Sequence, residues 1–342
     1  MGITRSISAA FLLLYATISA AQPVIKKAKF FDDDELINMD LSTDLKKITS
    51  EKKLNSYQPA TITFRFADSS KITEDVTLTA RGEFRRNNCF IPTMRINFDS
   101  PGSPKLRPLK KLKLVCGCGF GAENERLILK EYLVYKMYNM LTDMSFRVRL
   151  LHVNYTDTRG KIKSYKQYAF FIEDVDAMAK RNKCNEVQKT SFHTERTDRQ
   201  QMTLVAVFQY MIGNTDWAVP NYHNMKLMRP KKDSVSRPYP VPYDFDFCGL
   251  VNASYASPQE ELGISSVTER VYRGFKRTPE ELQEVLDIFR KKKDNFEKLI
   301  KNFEPLGNRH RQDMQKYIDD FYKIIDNKYM VARLFIDEAR TN

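Results

Sequence analysis

The sequence predicts an α+β chain of two lobes, strand-rich in its first half and mostly helical in its second. Two observations carry that prediction. Apolar and polar residues alternate between about residues 61 and 115, the period of half-buried strands. From Pro279 onward apolar residues recur at helical spacing instead. At 342 residues the chain can bury a substantial core, as one bilobal unit or two domains. Its 42% hydrophobic and 12% aromatic content excludes a disordered chain.

The first residues read as an export signal. Arg5 supplies a charge, Ser6 to Ala20 an apolar core, and Ser19-Ala20-Ala21 the small residues of a cleavage junction, with the cut expected after Ala21. That core is short for a membrane span, and Lys26 and Lys27 follow it. The expectation is a chain that does not span a membrane and works outside the cytoplasm, periplasmic or secreted, as a monomer. Residues 22–58 read as an N-terminal extension, 59–176 as the strand-rich lobe and 177–342 as the helical lobe.

In the strand-rich lobe Ile62, Phe64 and Phe66 alternate with Thr61, Thr63 and Arg65. Val76, Leu78 and Ala80 alternate with Thr77, Thr79 and Arg81, and Met94 to Phe98 alternates with Arg95 and Asn97. A loop with Pro101, Pro104 and Pro108 leads to a strand from Lys111 to Val115. Residues 123–141 predict a largely buried helix, because Leu127, Leu129, Leu133, Val134, Met137 and Met140 cover several of its faces. Strands at 147–155 and 164–172, joined by a turn at Thr158-Arg159-Gly160, close the lobe before the acidic run Glu173 to Asp176.

The helical lobe opens with an apolar helix from Gln200 to Met211. Beyond an irregular stretch from Val251 to Arg277, Thr278 as N-cap, Pro279 at the first position and Glu281 three residues on mark a helix start. Helices are expected at 279–301, 308–322 and 324–339.

Between those helices lies the segment with the most chemistry. Asp216 is followed by Asn221 and Asn224, five and eight residues on, then by the apolar strand Met225 to Met228. A second strand then ends in Asp244 and Asp246. Phosphoryl transfer needs a carboxylate to orient the attacking hydroxyl and hard oxygen ligands to hold Mg²⁺ against the phosphates. Asp-x-x-x-x-Asn alone is as much a turn as a site; the acid-rich strand end after it is what points to kinase-like chemistry. Placed after strands and an acidic connector, the loop makes the expected architecture a bilobal atypical protein-kinase-like fold.

An ordered series of short motifs also resembles the CotH kinase-like family over roughly residues 60 to 260. The series is Ala80-Arg81-Gly82, the strands of Arg95 and Lys113, the helix from Arg126, the connector Ile172-Glu173-Asp174-Val175-Asp176, and the strand end at Asp244 and Asp246. The resemblance implies an exported phosphotransferase that uses ATP with Mg²⁺ or Mn²⁺ and phosphorylates protein hydroxyls. It makes Asp216 the catalytic residue, with Asp244 or Asp246 and Asn224 or Asn221 holding metal; Asp244 and Asn224 are favoured. Lys113 paired with Glu131, or Arg95 in its place, would clamp the phosphates, with Arg81 and Glu173 among the nucleotide-site residues. No Gly-x-Gly-x-x-Gly lid precedes Arg95. The alternative is a non-catalytic relative that binds a nucleotide, glycan or protein of the cell envelope.

The net charge of +13 suits anionic partners, whether nucleotide or an anionic envelope component; no motif for reading nucleic acid accompanies it. Five cysteines in an exported chain permit disulfides, and Cys89 with Cys116 or Cys118 is the expected pairing. Cys248, flanked by apolar residues, is expected to be buried. The four histidines lack metal-ligand spacing, which argues against a zinc site. Gly117-x-Gly119-x-x-Ala122 fits a dinucleotide turn, but no acid ends the next strand and three strands precede it. No Gly-x-Ser-x-Gly elbow supports a serine hydrolase.

Overall fold

The computed structural model describes residues 30–52, 56–188 and 191–341; the expected export signal at 1–21 lies outside the described residues. Its first part runs β1 (Ile37–Thr43), α1 (Leu45–Ser50), β2 (Gln58–Arg65), β3 (Lys71–Arg81), α2 (Glu83–Asn88), β4 (Thr93–Asn97) and β5 (Lys111–Cys116). Then come α3 (Ala122–Leu141), β6 (Val148–Asp157) and β7 (Tyr165–Ile172). The alternation read from the sequence is realised in β2 to β5, and the buried helix in α3.

The seven strands close into a barrel in the order β1-β2-β3-β4-β5-β7-β6. This overturns the expected bilobal protein-kinase-like fold: the strand-rich part is a closed mixed barrel. The closing strand is β1, within the segment read as an extension. Met39 lies opposite Phe64 of β2 on one side and opposite Val153 of β6, in parallel, on the other. Closure leaves no sheet edge exposed, and it joins residues far apart in sequence, which local periodicity does not register.

Strand side chains alternate between the two faces of the wall. Phe64, Leu78, Met94, Leu114, Val153 and Phe171 fill the barrel. On β6, β7 and the end of β5 the outward residues Val148, Leu150, Phe170, Ile172 and Val115 pack into a second core with α3 and the later helices. On β3, β4 and the start of β5 the outward residues are instead Thr79, Arg81, Arg95 and Lys113. Thr79, Arg95, Lys113 and Ile172 lie opposite one another in successive strands. A cationic strip therefore borders the helical layer.

The second part contains α4 (Val175–Arg181), β8 (Cys184–Glu186), α5 (Arg199–Ile212), β9 (Met225–Pro230) and β10 (Tyr239–Pro242). It continues with α6 (Pro279–Lys301), α7 (Asn308–Ile325) and α8 (Lys328–Ala332). Strands β8, β9 and β10 form a small sheet in the order β10-β9-β8. Helix α6 starts with the expected capping box of Thr278 and Glu281. The single helix expected at 324–339 is broken. Helix α7 ends at Ile325, Asn327 caps α8 through the amides of Tyr329 and Met330, and a π-helical turn follows over Arg333–Asp337.

Cys89 is bonded to Cys118, with S–S 2.09 Å, tying the end of α2 to the loop before α3. Cys116 faces the barrel interior instead, and Cys248 is buried. No helix among the described residues is long and apolar enough to cross a membrane.

Candidate active site

Helix α5 ends at Gly213 in the left-handed conformation, where any side chain would run into the hydroxyl of Tyr317. The next residue, Asn214, is buried and organises the turn. Its side-chain amide donates to Gln209 Oε1 at 3.0 Å, and its Oδ1 accepts the Asp216 amide at 3.0 Å. Arg273 clamps the backbone on both sides of Asp216. Its guanidinium donates to the carbonyls of Thr215 and Trp217 and lies 5.4 Å from the Trp217 ring centre.

The Asp216 carboxylate is held at both oxygens. Oδ1 is 2.6 Å from His223 Nε2, and Oδ2 accepts from Asn224 Nδ2 at 2.9 Å. Asn224 Nδ2 also donates to the Asp216 carbonyl at 2.8 Å. The eight-residue spacing thus brings an asparagine to Asp216. Asn221, at the five-residue spacing, accepts the His223 amide at 3.3 Å and belongs to the turn. Asn224 has φ +51°, a left-handed conformation that Asn tolerates better than most residues.

Strand β9 begins directly after Asn224, and β10 ends directly before Tyr243 and Asp244. Met225 lies opposite Pro242, and the Tyr243 amide donates to the Asn224 carbonyl at 3.1 Å. Asp216, Asn224 and Asp244 therefore meet at one end of the β9–β10 hairpin. The Asp244 amide donates to the Tyr135 hydroxyl of α3 at 2.8 Å.

Carboxylate oxygens of Glu131 (α3), Asp244 and Asp246 lie within 4.8 Å of one another. Arg85 of α2 enters this cluster and is buried there. It donates to Asp246 Oδ2 at 3.0 Å from Nη2 and 3.3 Å from Nε, and to Glu131 Oε2 at 3.4 Å. Its Nη1 donates to the Cys116 carbonyl at 2.7 Å, and the Tyr255 hydroxyl donates to Asp246 Oδ2 at 2.9 Å. Glu131 is only 1% exposed, and its other oxygen, Oε1, has no hydrogen-bond partner among the described residues.

Burial, then the charge of Asp246, pushes the Glu131 carboxyl well above the ordinary range, against the pull of Arg85. Asp244 is raised by the same two causes, with Arg81, Arg85 and Lys113 opposing. The orphaned buried oxygen and the all-oxygen donor set fit a hard divalent cation such as Mg²⁺ or Mn²⁺.

Facing the acids is the cationic strip of the barrel. Lys113 Nζ lies 4.8 Å from the Tyr243 ring centre. Its pKa is pushed down to about 8, chiefly by burial and then by the charge of Arg81, while Asp244 pulls it upward. Arg81 is lowered by burial, and its Nε is buried without a hydrogen-bond partner among the described residues. Arg95 is exposed. A cavity of about 390 Å³ opens over this strip, lined by Tyr57, Thr79, Arg81, Gly82, Arg86 and Arg95.

Two sequence expectations are corrected here. Lys113 does not pair with Glu131, because Arg85 takes that position from the other side. Glu173 belongs to a brace: it binds Arg181 at 2.9 Å and the Arg147 amide at 3.1 Å, and no member of the cluster. Arg85, Tyr255 and Arg273 were not identified from the sequence. Arg85 sits in a short helix with no periodic pattern, and its partners lie 46 and 161 residues away. His223, one of the four histidines without metal-ligand spacing, makes its bond to Asp216 itself. No family model matches the chain, and no curated protein matches it.

Proposed function

We propose that this chain is an exported phosphotransferase, related to the CotH kinase-like proteins, that moves the terminal phosphate of ATP to a hydroxyl on a protein acceptor. The observation that carries this reading is the meeting of Asp216, Asn224 and Asp244 at one hairpin end, between an acidic cluster and a cationic strip. Phosphoryl transfer draws on positioning and charge stabilisation far more than on covalent chemistry. In this reading Asp216 orients the acceptor hydroxyl and takes its proton, and His223, Asn224 and Arg273 fix where its carboxylate points. Lys113, Arg81 and Arg95 hold the donor phosphates. A divalent cation held by Asp244 with Glu131 and Asp246, and reached by Asn224, would neutralise charge on the phosphate oxygens.

One observation favours a second reading, a kinase-related binding protein that transfers nothing. Both Asp216 oxygens are already engaged, so one must be released before it can serve a hydroxyl.

The test is incubation of the purified chain with Mg²⁺ or Mn²⁺ and γ-labelled ATP, beside Asp216→Ala and Asp244→Ala. Label on the chain or on an added protein, absent in both variants, supports transfer. Cation-dependent nucleotide binding without label supports the second reading. If neither outcome is seen, Asp216 and Asn224 are turn residues.

A further inference from the structure

The cavity beside the acidic cluster says more about the donor than its charge alone. Its lining carries three arginines and no carboxylate, and its polar remainder is Thr79 and the backbone at Gly82. Arg81, on the barrel wall, leaves a buried Nε without a partner among the described residues. Arg95 and Lys113 face one another across β4 and β5, an arrangement that repels unless an anion lies between or above them. These groups match phosphate oxygens, for which guanidinium forks are the best side-chain donors.

With its arginines on phosphate oxygens, that lining leaves only Thr79 and the backbone at Gly82 to meet the edge of a base. Its apolar contributions are Ala80 and the ring of Tyr57. Tyr57 sits just before β2, 46% exposed, at the cavity's edge. An exposed aromatic ring beside a cluster of arginines offers a stacking platform. Stacking is tolerant of base identity because every base has a π-face, whereas discrimination among bases needs buried hydrogen-bonding groups.

We propose that the Arg81–Arg95 cavity binds its ligand through a polyphosphate group and contacts the attached base only by stacking on Tyr57, so that the site takes nucleoside triphosphates with little regard to the base. The proposal rests on the donor site described above and narrows its substrate class.

Isothermal titration of the full chain with ATP, GTP, CTP, UTP and tripolyphosphate, each with Mg²⁺, tests it. The four nucleotides should bind within about threefold of one another, and tripolyphosphate roughly five- to tenfold more weakly, the low end of base–aromatic stacking. In Tyr57→Ala the nucleotides should weaken to the tripolyphosphate value while tripolyphosphate itself is unchanged. Arg95→Gln should weaken all five together. Both altered side chains are exposed, and a thermal melt checks that each variant folds. ATP binding more than tenfold tighter than each other nucleotide, failure of tripolyphosphate to bind, or nucleotide affinities indifferent to Tyr57→Ala would each overturn the proposal. Base-indifferent binding without label transfer would leave it standing and remove the phosphotransferase reading. Transfer from ATP alone would do the reverse.

Discussion

Asp216 holds its carboxylate near the surface between His223 and Asn224, whereas Asp246 is buried against the guanidinium of Arg85. Both are aspartates with a cationic or hydrogen-bonding partner at close range. The environments differ, and with them the consequences. A half-exposed pair such as Asp216–His223 is screened by water and worth about 0–1 kcal/mol. Breaking a buried pair leaves an uncompensated charge and costs about 3–5 kcal/mol. The surface loop can thus release its partners at little expense in stability. The buried cluster helps hold the molecule together, and its crowded acids gain most from an added cation.

Removing Arg85 breaks this contrast most severely. Arg85→Met should destabilise the fold by about 3–5 kcal/mol in urea unfolding at neutral pH. The loss should shrink in acid. Glu131 and Asp244 have raised folded-state pKa values, so their protonated forms contribute stability below the ordinary values of 4.5 and 3.8, and that contribution fades as pH rises through the folded values. A loss under about 1 kcal/mol at neutral pH would mean that the cluster does not depend on its internal cation.

Next in size is the paired test of the two regions. Asp216→Asn should change unfolding free energy by less than about 1 kcal/mol while lowering phosphotransfer by about 10²- to 10⁴-fold. Asp244→Asn should leave the metal-free protein as stable as before or more so, because it removes a crowded charge. It should also abolish any rise in melting temperature on adding Mn²⁺. A Mn²⁺-dependent shift that survives Asp244→Asn would remove Asp244 from the cation site.

The contrast also shows which parts of the molecule local sequence could announce. Elements set by nearby residues were legible: alternation in β2 to β5, the apolar faces of α3, the capping box at Thr278 and Glu281. The structure also brings Asp216, Asn224 and Asp244 to one hairpin end, because short chain segments join them. What failed depends on distant partners. Strand β1 alternates at Ile37, Met39 and Leu41, but only its parallel pairing with β6 turns the sheet into a barrel. Glu131 was singled out with the wrong cation, because a helix position fixes which way a carboxylate points and not which arginine arrives from elsewhere in the chain. The choice between Cys116 and Cys118 likewise turned on which one faces the barrel interior.

A smaller effect sharpens the comparison from the cationic side. Lys113, with its pKa near 8, titrates where free lysines do not. Below pH 8 it is charged in both folded and unfolded chains, and its burial penalty is fully present. Between about 8 and 10.5 the unfolded chain binds the extra proton, so stability should rise with pH across that window. Anion binding should move the opposite way. Affinity for tripolyphosphate should fall by up to about tenfold per pH unit above 8, and Lys113→Arg should flatten that fall. A wild-type profile flat to pH 10 would show that Lys113 does not face the anion.

The smallest expected effects separate the two asparagines. Asn221 lends one side-chain oxygen to a surface turn, so Asn221→Ala should stay within about 0.5 kcal/mol of wild type. Asn224 supplies two bonds to Asp216 and adopts φ +51°, which a side chain other than Asn, Asp or Gly resists. Asn224→Ala loses on both counts and should cost about 1–2 kcal/mol, whereas Asn224→Gly keeps the backbone and loses only the bonds. If Ala and Gly prove equally destabilising, backbone strain contributes nothing and the hydrogen bonds alone fix Asp216. If Gly matches wild type in stability but not in phosphotransfer, the asparagine amide orients the carboxylate without holding the fold, which is the division of labour that the half-exposed loop and the buried cluster imply.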